Sequence, residues 1–388
     1  MPPEGCVRCT GFICLARPLA AAATAALVVA APAAAFASTY NAPHSPAPYK
    51  SHNLTLKQVN LASDVPGLAR LTDPDLKNPW GAALTSTSPL WVANQGTDSS
   101  TVYSLHPGSS TVTKSASVRV TLPGSVAGPT GVVANTGTGF VLTNGKVSAP
   151  AAFIFDTLDG HIEAWSPKAD PLKGSTEDKV TIPGAGYTGL AIAGTGRGER
   201  LFAADFAKGT VDVFDSAFHQ VKLASWQFSD PRLPKGYAPF NTQALGGRIF
   251  VAYDKPDQTT HREGIGAGIG VVDEFSTDGR LITRIATGGS LNAPWGIAIA
   301  PRGWGSAAGS LLIGNFGDGR INIFAKEGSR FADHATGQVL NAATGKPFAE
   351  SGLWAIQPGT ATTGGTNALW FAAGINDEAA GLLGVLRP

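Results

Sequence analysis

Apolar and polar positions alternate along this chain in short runs, and the runs recur. Six stretches join an apolar strand to an Asn or Asp: 91–96 (WVANQG), 140–145 (FVLTNG), 201–206 (LFAADF), 249–254 (IFVAYD), 311–316 (LLIGNF) and 369–377 (LWFAAGIND). Each is preceded by another strand, at 78–84 (NPWGAAL), 128–134 (GPTGVVA), 187–193 (YTGLAIA), 239–245 (PFNTQAL), 293–299 (APWGIAI) and 352–358 (GLWAIQP). A third strand follows a tight turn and alternates with period two, as a half-buried strand does. Its branched residue falls at Val102, Ile162, Val211, Val272, Ile321 and Leu383, at separations of 60, 49, 61, 49 and 62 residues. Self-similarity at such a period marks a repeated supersecondary unit. Short strands separated by turns then predict an all-β chain, a six-bladed β-propeller.

Fourth, outer strands are legible at 115–122, 178–183 and 280–286. The sixth unit runs out of chain at Pro388, and the alternating segment 53–61 (NLTLKQVNL) is the strand expected to complete it. Closing the ring in this way leaves no long open sheet edge. Residues 51–388 are therefore read as a single propeller domain.

Residues 1–37 have a different character. Arg8 and Arg17 precede an Ala/Val/Leu stretch, and Ala35-Phe36-Ala37 is a small-x-small site, so the segment reads as a secretory signal peptide cleaved after Ala37. A Pro/Ser-rich spacer, 38–50, follows it. The expected localisation is secreted or periplasmic, with no membrane span after the signal is removed. All three cysteines and the single methionine lie within residues 1–37, so the mature chain has no disulfide and few oxidisable side chains.

Charge narrows the partners. Removing residues 1–37 takes away Arg8, Arg17 and Glu4 and leaves 27 residues of each sign. No run of Lys or Arg is present to neutralise a line of phosphates, which argues against nucleic acid. A monomer that meets a small molecule, a glycan or a protein segment is the expected state.

The NPWG and APWG strands, LLIGNFGDGRINIF at 311–324, GTVDVFDS at 209–216 and AAGINDEAAGLLG at 372–384 together resemble an uncharacterised family of secreted bacterial β-propeller proteins. The resemblance spans about residues 49–386 and implies the fold without an activity. More distantly the repeats are similar to NHL-repeat propellers and to gluconolactonase-like, metal-dependent propeller hydrolases.

In a propeller unit the first strand runs down and the second up, so starts of first strands and ends of second strands share one face. On that face the reading places Asn78, Trp80, Asn94, Asn144, Asn241, Trp295, Asn315 and Trp354 as ligand-binding candidates. Asp205, Asp254 and the cluster Asn376-Asp377-Glu378 are candidates to hold a divalent cation such as Ca²⁺, since hard ions take carboxylate and amide oxygens. Asn and Asp also occur at such places because they tolerate left-handed turns. The Trp residues could equally stack on a sugar or wedge between units as core.

The functional reading is a binding or interaction module that uses this polar, Trp-lined ring. The alternative is a metal-dependent lactonase or esterase, as the gluconolactonase resemblance implies. That family adds a Glu ligand from its first inner strand, where this chain has NPWGAAL. The insertion at 255–268, with His261 and Glu263, is read either as a lid over the face or as a solvated loop. The seven histidines show no paired metal spacing, and no GxSxG is present.

Overall fold

A computed structural model describes residues 51–169, 174–260 and 262–388. The segments read as signal peptide and spacer lie outside the described residues, as does His261. The described residues form strands, turns and two three-residue 3-10 turns, with no α-helix among them. No helix there is long and apolar enough to cross a membrane. The all-β expectation is met.

Antiparallel pairing builds one meander repeatedly. The first joins Pro79–Ala83, Leu90–Asn94, Ser99–Ser104 and Thr113–Thr121. The next joins Pro129–Ala134, Phe153–Thr157, His161–Trp165 and Glu177–Thr181. A three-stranded sheet follows, of Tyr187–Thr195, Gly198–Asp205 and Thr210–Asp215, and then a four-stranded one from Ala238–Leu245 through Arg248–Asp254 and Val271–Ser276 to Leu281–Thr287. The last two, beginning at Pro294–Ile299 and Leu353–Pro358, belong to a single nine-stranded sheet.

The N-terminal strand explains that fusion. Leu54–Ser63 pairs antiparallel with the last strand, Leu382–Arg387, with Val59 opposite Val385. This is the pairing expected from the sequence. The same strand also pairs in parallel with Gly337–Asn341, Leu54 opposite Val339, and so welds the last two meanders together. One strand thereby covers two edges that would otherwise stand open.

Each first strand packs beside the first strand of the next meander, and Leu353–Pro358 packs beside Pro79–Ala83, so these strands surround a common axis. Every first strand is terminal in its sheet, with one backbone edge free of strand pairing. Pro79, Pro129 and Pro294 can therefore open such strands, because the missing N–H removes no ladder bond at an edge. The residue before each of them is left-handed: Asn78 at φ 42°, Gly128 at φ 81° and Ala293 at φ 48°. Gly352, at φ 66°, takes the same place ahead of Leu353, where an added Cβ would lie 2.0 Å from the carbonyl oxygen of Gly374. A left-handed residue turns the chain sharply into the first strand, which glycine does without strain.

Apolar residues fill the space between meanders, and aromatic ones gather near the axis. Trp80 and Trp354 stack with centroids 3.5 Å apart, and Trp295 meets both edge-on at 6.2 and 5.8 Å. Phe316 stacks on Trp354 at 4.1 Å, with Phe240 tilted against it at 5.9 Å. All five are buried. Of the two readings left open for Trp80, Trp295 and Trp354, the structure forms the core: their faces are spent on one another.

One repeat copy is corrected. Residues 140–145 do not form the second strand of their meander. Val141–Asn144 and Val147–Pro150 make a separate two-stranded hairpin, and Phe153–Thr157 is the second strand. Asn144 is exposed in that hairpin, away from the ring positions. The hairpin sits within a connection, the place where an insertion disturbs a sheet least.

Candidate functional site

The polar strand ends are fewer than the repeat suggests. Asn94, Asp205 and Asn315 are in matching register, opposite Pro79, Tyr187 and Pro294 at the starts of their first strands. In the other meanders the matching residues are Thr157, Tyr253 and Ala373. Asp254 lies one residue beyond this position and Asp156 one residue before it, and a one-residue step in a strand turns a side chain to the other face.

These side chains are buried; Asn94, Asp205 and Asn315 are each tied to their surroundings through one polar atom, while Asn94 Oδ1, Asp205 Oδ2 and Asn315 Oδ1 have no hydrogen-bond partner among the described residues. Asn94 Nδ2 donates to Thr101 Oγ1 at 2.9 Å, and Asn315 Nδ2 donates to the Ser290 carbonyl at 2.8 Å. Asp205 Oδ1 accepts from the Gly186 and Lys208 amides at 3.1 and 3.0 Å, a turn arrangement. Burial raises its pKa. Asn241 Nδ2 donates to the Trp295 carbonyl at 2.7 Å, and Trp295 Nε1 donates to the Thr188 carbonyl at 2.8 Å, lacing three first strands together.

Sequence reasoning missed Asp156. Its Oδ1 accepts from Thr130 Oγ1 at 2.8 Å and from the Gly131 amide, which clamps the second strand to the first. Full burial pushes its pKa up to about 6 despite those hydrogen bonds. The motif FIFD at 153–156 is the signal that identifies it.

The face does form a pocket, but to one side of the axis. A cavity of about 300 Å³ lies between the loop after Asp254 and the turn after Gly374, with Phe316 and Ser351 also lining it. Asn376, Asp377 and Glu378 are consecutively left-handed, at φ 55°, 53° and 65°. For residues with a Cβ this costs roughly 1–2 kcal/mol each, so the surroundings must hold the turn in place. They do so through Glu378: Asn78 Nδ2 donates to its Oε2 at 2.8 Å, and Arg262 pairs with its Oε1.

Arg262 comes from the opposite wall. Its guanidinium also pairs with Glu263 at 2.9 Å, so one cation bridges two carboxylates across the pocket mouth. Glu263 and Glu378 are largely buried, with side chains 8% and 14% exposed, whereas Arg262 is 53% exposed. The base of the loop is anchored by Asp254 Oδ2, which accepts from the Gly264 amide at 2.7 Å. Burial, with the neighbouring Glu263 carboxylate adding to it, pushes the Asp254 pKa up to about 7. The loop is therefore tied to the face at its base and through Arg262, while Asp257 to Thr260 and Ile265 stay exposed to solvent.

Asn78 links this wall to the aromatic core. Its Oδ1 accepts from Trp354 Nε1 at 3.0 Å while its Nδ2 reaches Glu378 and Gln95. The cation-site expectation fares differently. Among the described residues no three His, Cys, Asp or Glu side chains gather as a group that could hold a metal ion. Asp205 and Asp254 are buried in separate meanders, while Asn376 and Asp377 are exposed. Asp205 and Asp254 each keep one buried oxygen without a hydrogen-bond partner among the described residues, but the expected donors are not brought together into one group.

The chain is 33% identical over 338 residues to uncharacterized protein R648 of Acanthamoeba polyphaga mimivirus, covering 85% of this chain and 80% of that protein. It is 32% identical over 340 residues to uncharacterized protein L690 of the same virus, covering 86% of each. The chain belongs to their family. No family model matches it. These members of the family come from a virus, where the sequence resemblance pointed to secreted bacterial proteins. Among solved structures, a streptogramin B lyase is similar at 12% identity and TM-score 0.47, covering 86% of this chain and 98% of that one. A Xanthomonas campestris gluconolactonase is similar at 13% identity and TM-score 0.37, covering 61% and 81%. Nothing about activity follows from likenesses so remote.

Proposed function

We propose that this member of the family is an exported six-bladed β-propeller that binds a small polar ligand in the pocket between residues 255–268 and 374–378. The blade count is supported by the recurring meander and by the ring of first strands. Export is supported by the N-terminal sequence pattern. The observation that carries the binding reading is the bridge of Arg262 to Glu263 and Glu378, which joins two distant connections over a concave, polar site.

The chemistry of the walls selects the ligand class. Three acidic side chains, one guanidinium, and the hydroxyls of Thr260 and Ser351 surround a floor that includes Phe316. Such a lining suits a hydroxyl-rich or amine-bearing molecule, the carboxylates accepting hydrogen bonds and the ring packing on its apolar face. A glycan end meets both demands.

The test is a thermal-shift screen of the purified protein against neutral and amino sugars, with titration calorimetry of any hit. Binding that falls at least about tenfold in both Glu378→Ala and Arg262→Ala is expected, since each loses a charge-assisted hydrogen bond. A ligand whose affinity is unchanged in both variants would place binding elsewhere and overturn the reading.

A further inference from the structure

We infer that the far end of the ring axis is a second binding site, which takes a small uncharged molecule with an aliphatic body and a carboxamide or similar hydrogen-bonding head. It is independent of the Arg262 pocket. That pocket lies at the starts of the first strands; this cavity, of about 310 Å³, lies at their opposite ends and is lined by residues from all six.

Three features set its chemistry. Its wall includes the aliphatic side chains of Leu84, Ile192, Leu245 and Ile299 together with backbone and amide groups that make its surface somewhat more polar than apolar, and no charged residue belongs to it. An ion entering would lose hydration without a counter-charge, which disfavours carboxylates and ammonium groups. Two primary amides, Gln243 and Gln357, stand in this wall on different first strands. The Gln243 side chain is half-buried and makes no hydrogen bond among the described residues, so its donor and acceptor are both available. The unpaired edges of the first strands add backbone N–H and C=O groups around the same axis.

The cavity is also blind. Further in, a void of about 20 Å³ has Asn241 and Trp295 in its lining, and Trp295 belongs to the stacked aromatic group that fills the axis. That void holds one water-sized group at most. A concave pocket that combines apolar side chains with convergent polar groups is the usual form of a small-molecule site. Here the polar groups are amides, and they match an amide.

The experiment titrates the full chain with N-phenyl-1-naphthylamine, a neutral probe that fluoresces in apolar surroundings, and then competes it with hexanamide or hexanoate at pH 8. One probe molecule bound per chain is expected. Hexanamide should displace it, with hexanoate about tenfold or more weaker because its charge is unpartnered. Gln243→Leu should weaken hexanamide severalfold and leave the probe bound, and Ala244→Trp, which fills the half-exposed mouth, should abolish probe binding. Probe fluorescence unchanged in folded Ala244→Trp, or equal displacement by hexanoate and hexanamide, overturns the proposal. Should Ala244→Trp fail to fold, the competition pair on the unaltered protein decides it.

Discussion

Arg262 and Glu378 are 116 residues apart in sequence and form an ion pair that ties the loop after Asp254 to the left-handed turn of the last meander. Because Arg262 is half-exposed, the pair contributes no more than about 1 kcal/mol to global stability. Its effect is local. Arg262→Ala should leave the melting temperature nearly unchanged while amide exchange across residues 255–268 accelerates. Unchanged exchange in that segment would show that Asp254 and the backbone hold the loop unaided.

Buried acids give stability an unusual pH profile. Burial raises the folded pKa of Asp254 and Asp273 to about 7 and of Asp156 to about 6, against 3.8 for an ordinary Asp. Between about pH 4 and 7 the folded chain therefore holds protons that the unfolded chain has released, so stability falls as pH rises through this window. Asp75 and Asp159 have lowered values and act oppositely, their contribution being lost as pH falls below the ordinary carboxylate range. Urea denaturation should show a maximum near pH 4–5. Asp254→Asn keeps an acceptor for the Gly264 amide and should flatten the decline; an unaltered slope would assign the effect to the other buried acids, Asp156, Asp205 and Asp273 among them.

The aromatic group on the axis is the most costly place to mutate. Trp354 touches Trp80, Trp295, Phe240 and Phe316 and donates to Asn78. Trp354→Ala should cost about 3–5 kcal/mol in urea denaturation, as large core truncations do. A loss under 1 kcal/mol would mean that the group collapses to fill the space.

Truncation tests the shared N-terminal strand. Without residues 51–63 both Leu382–Arg387 and Gly337–Asn341 lose a strand partner. The expected result is aggregation and loss of cooperative unfolding, read by light scattering and circular dichroism. A soluble, cooperatively melting fragment would show that the strand is dispensable.

Metal removal should have no effect. The expected donors Asp205 and Asp254 each give one oxygen to backbone amides and lie in separate meanders, so dialysis against a chelator followed by added Ca²⁺ should not move the melting temperature. A shift of several degrees on adding Ca²⁺ would reinstate a cation site.

The strand repeat, the all-β class and the N-terminal strand that pairs with the last one are legible in the residues alone, because period-two alternation and turn residues are local signals. The single-residue offsets are not. Asn144 matched the repeat by spacing, yet an inserted hairpin gave its role to Phe153–Thr157, and Asp254 slipped one step past the register of Asn94. Pairing partners along the sheet set such offsets, and no local pattern records them. The same holds for the two ends of the axis. The sequence placed Asn, Asp and Trp on one face. Only the packed ring made the Trp side chains one another's partners, brought Arg262 to Glu378, and left Gln243 without a hydrogen-bond partner among the described residues at the opposite mouth, since each depends on contacts between segments far apart in the chain.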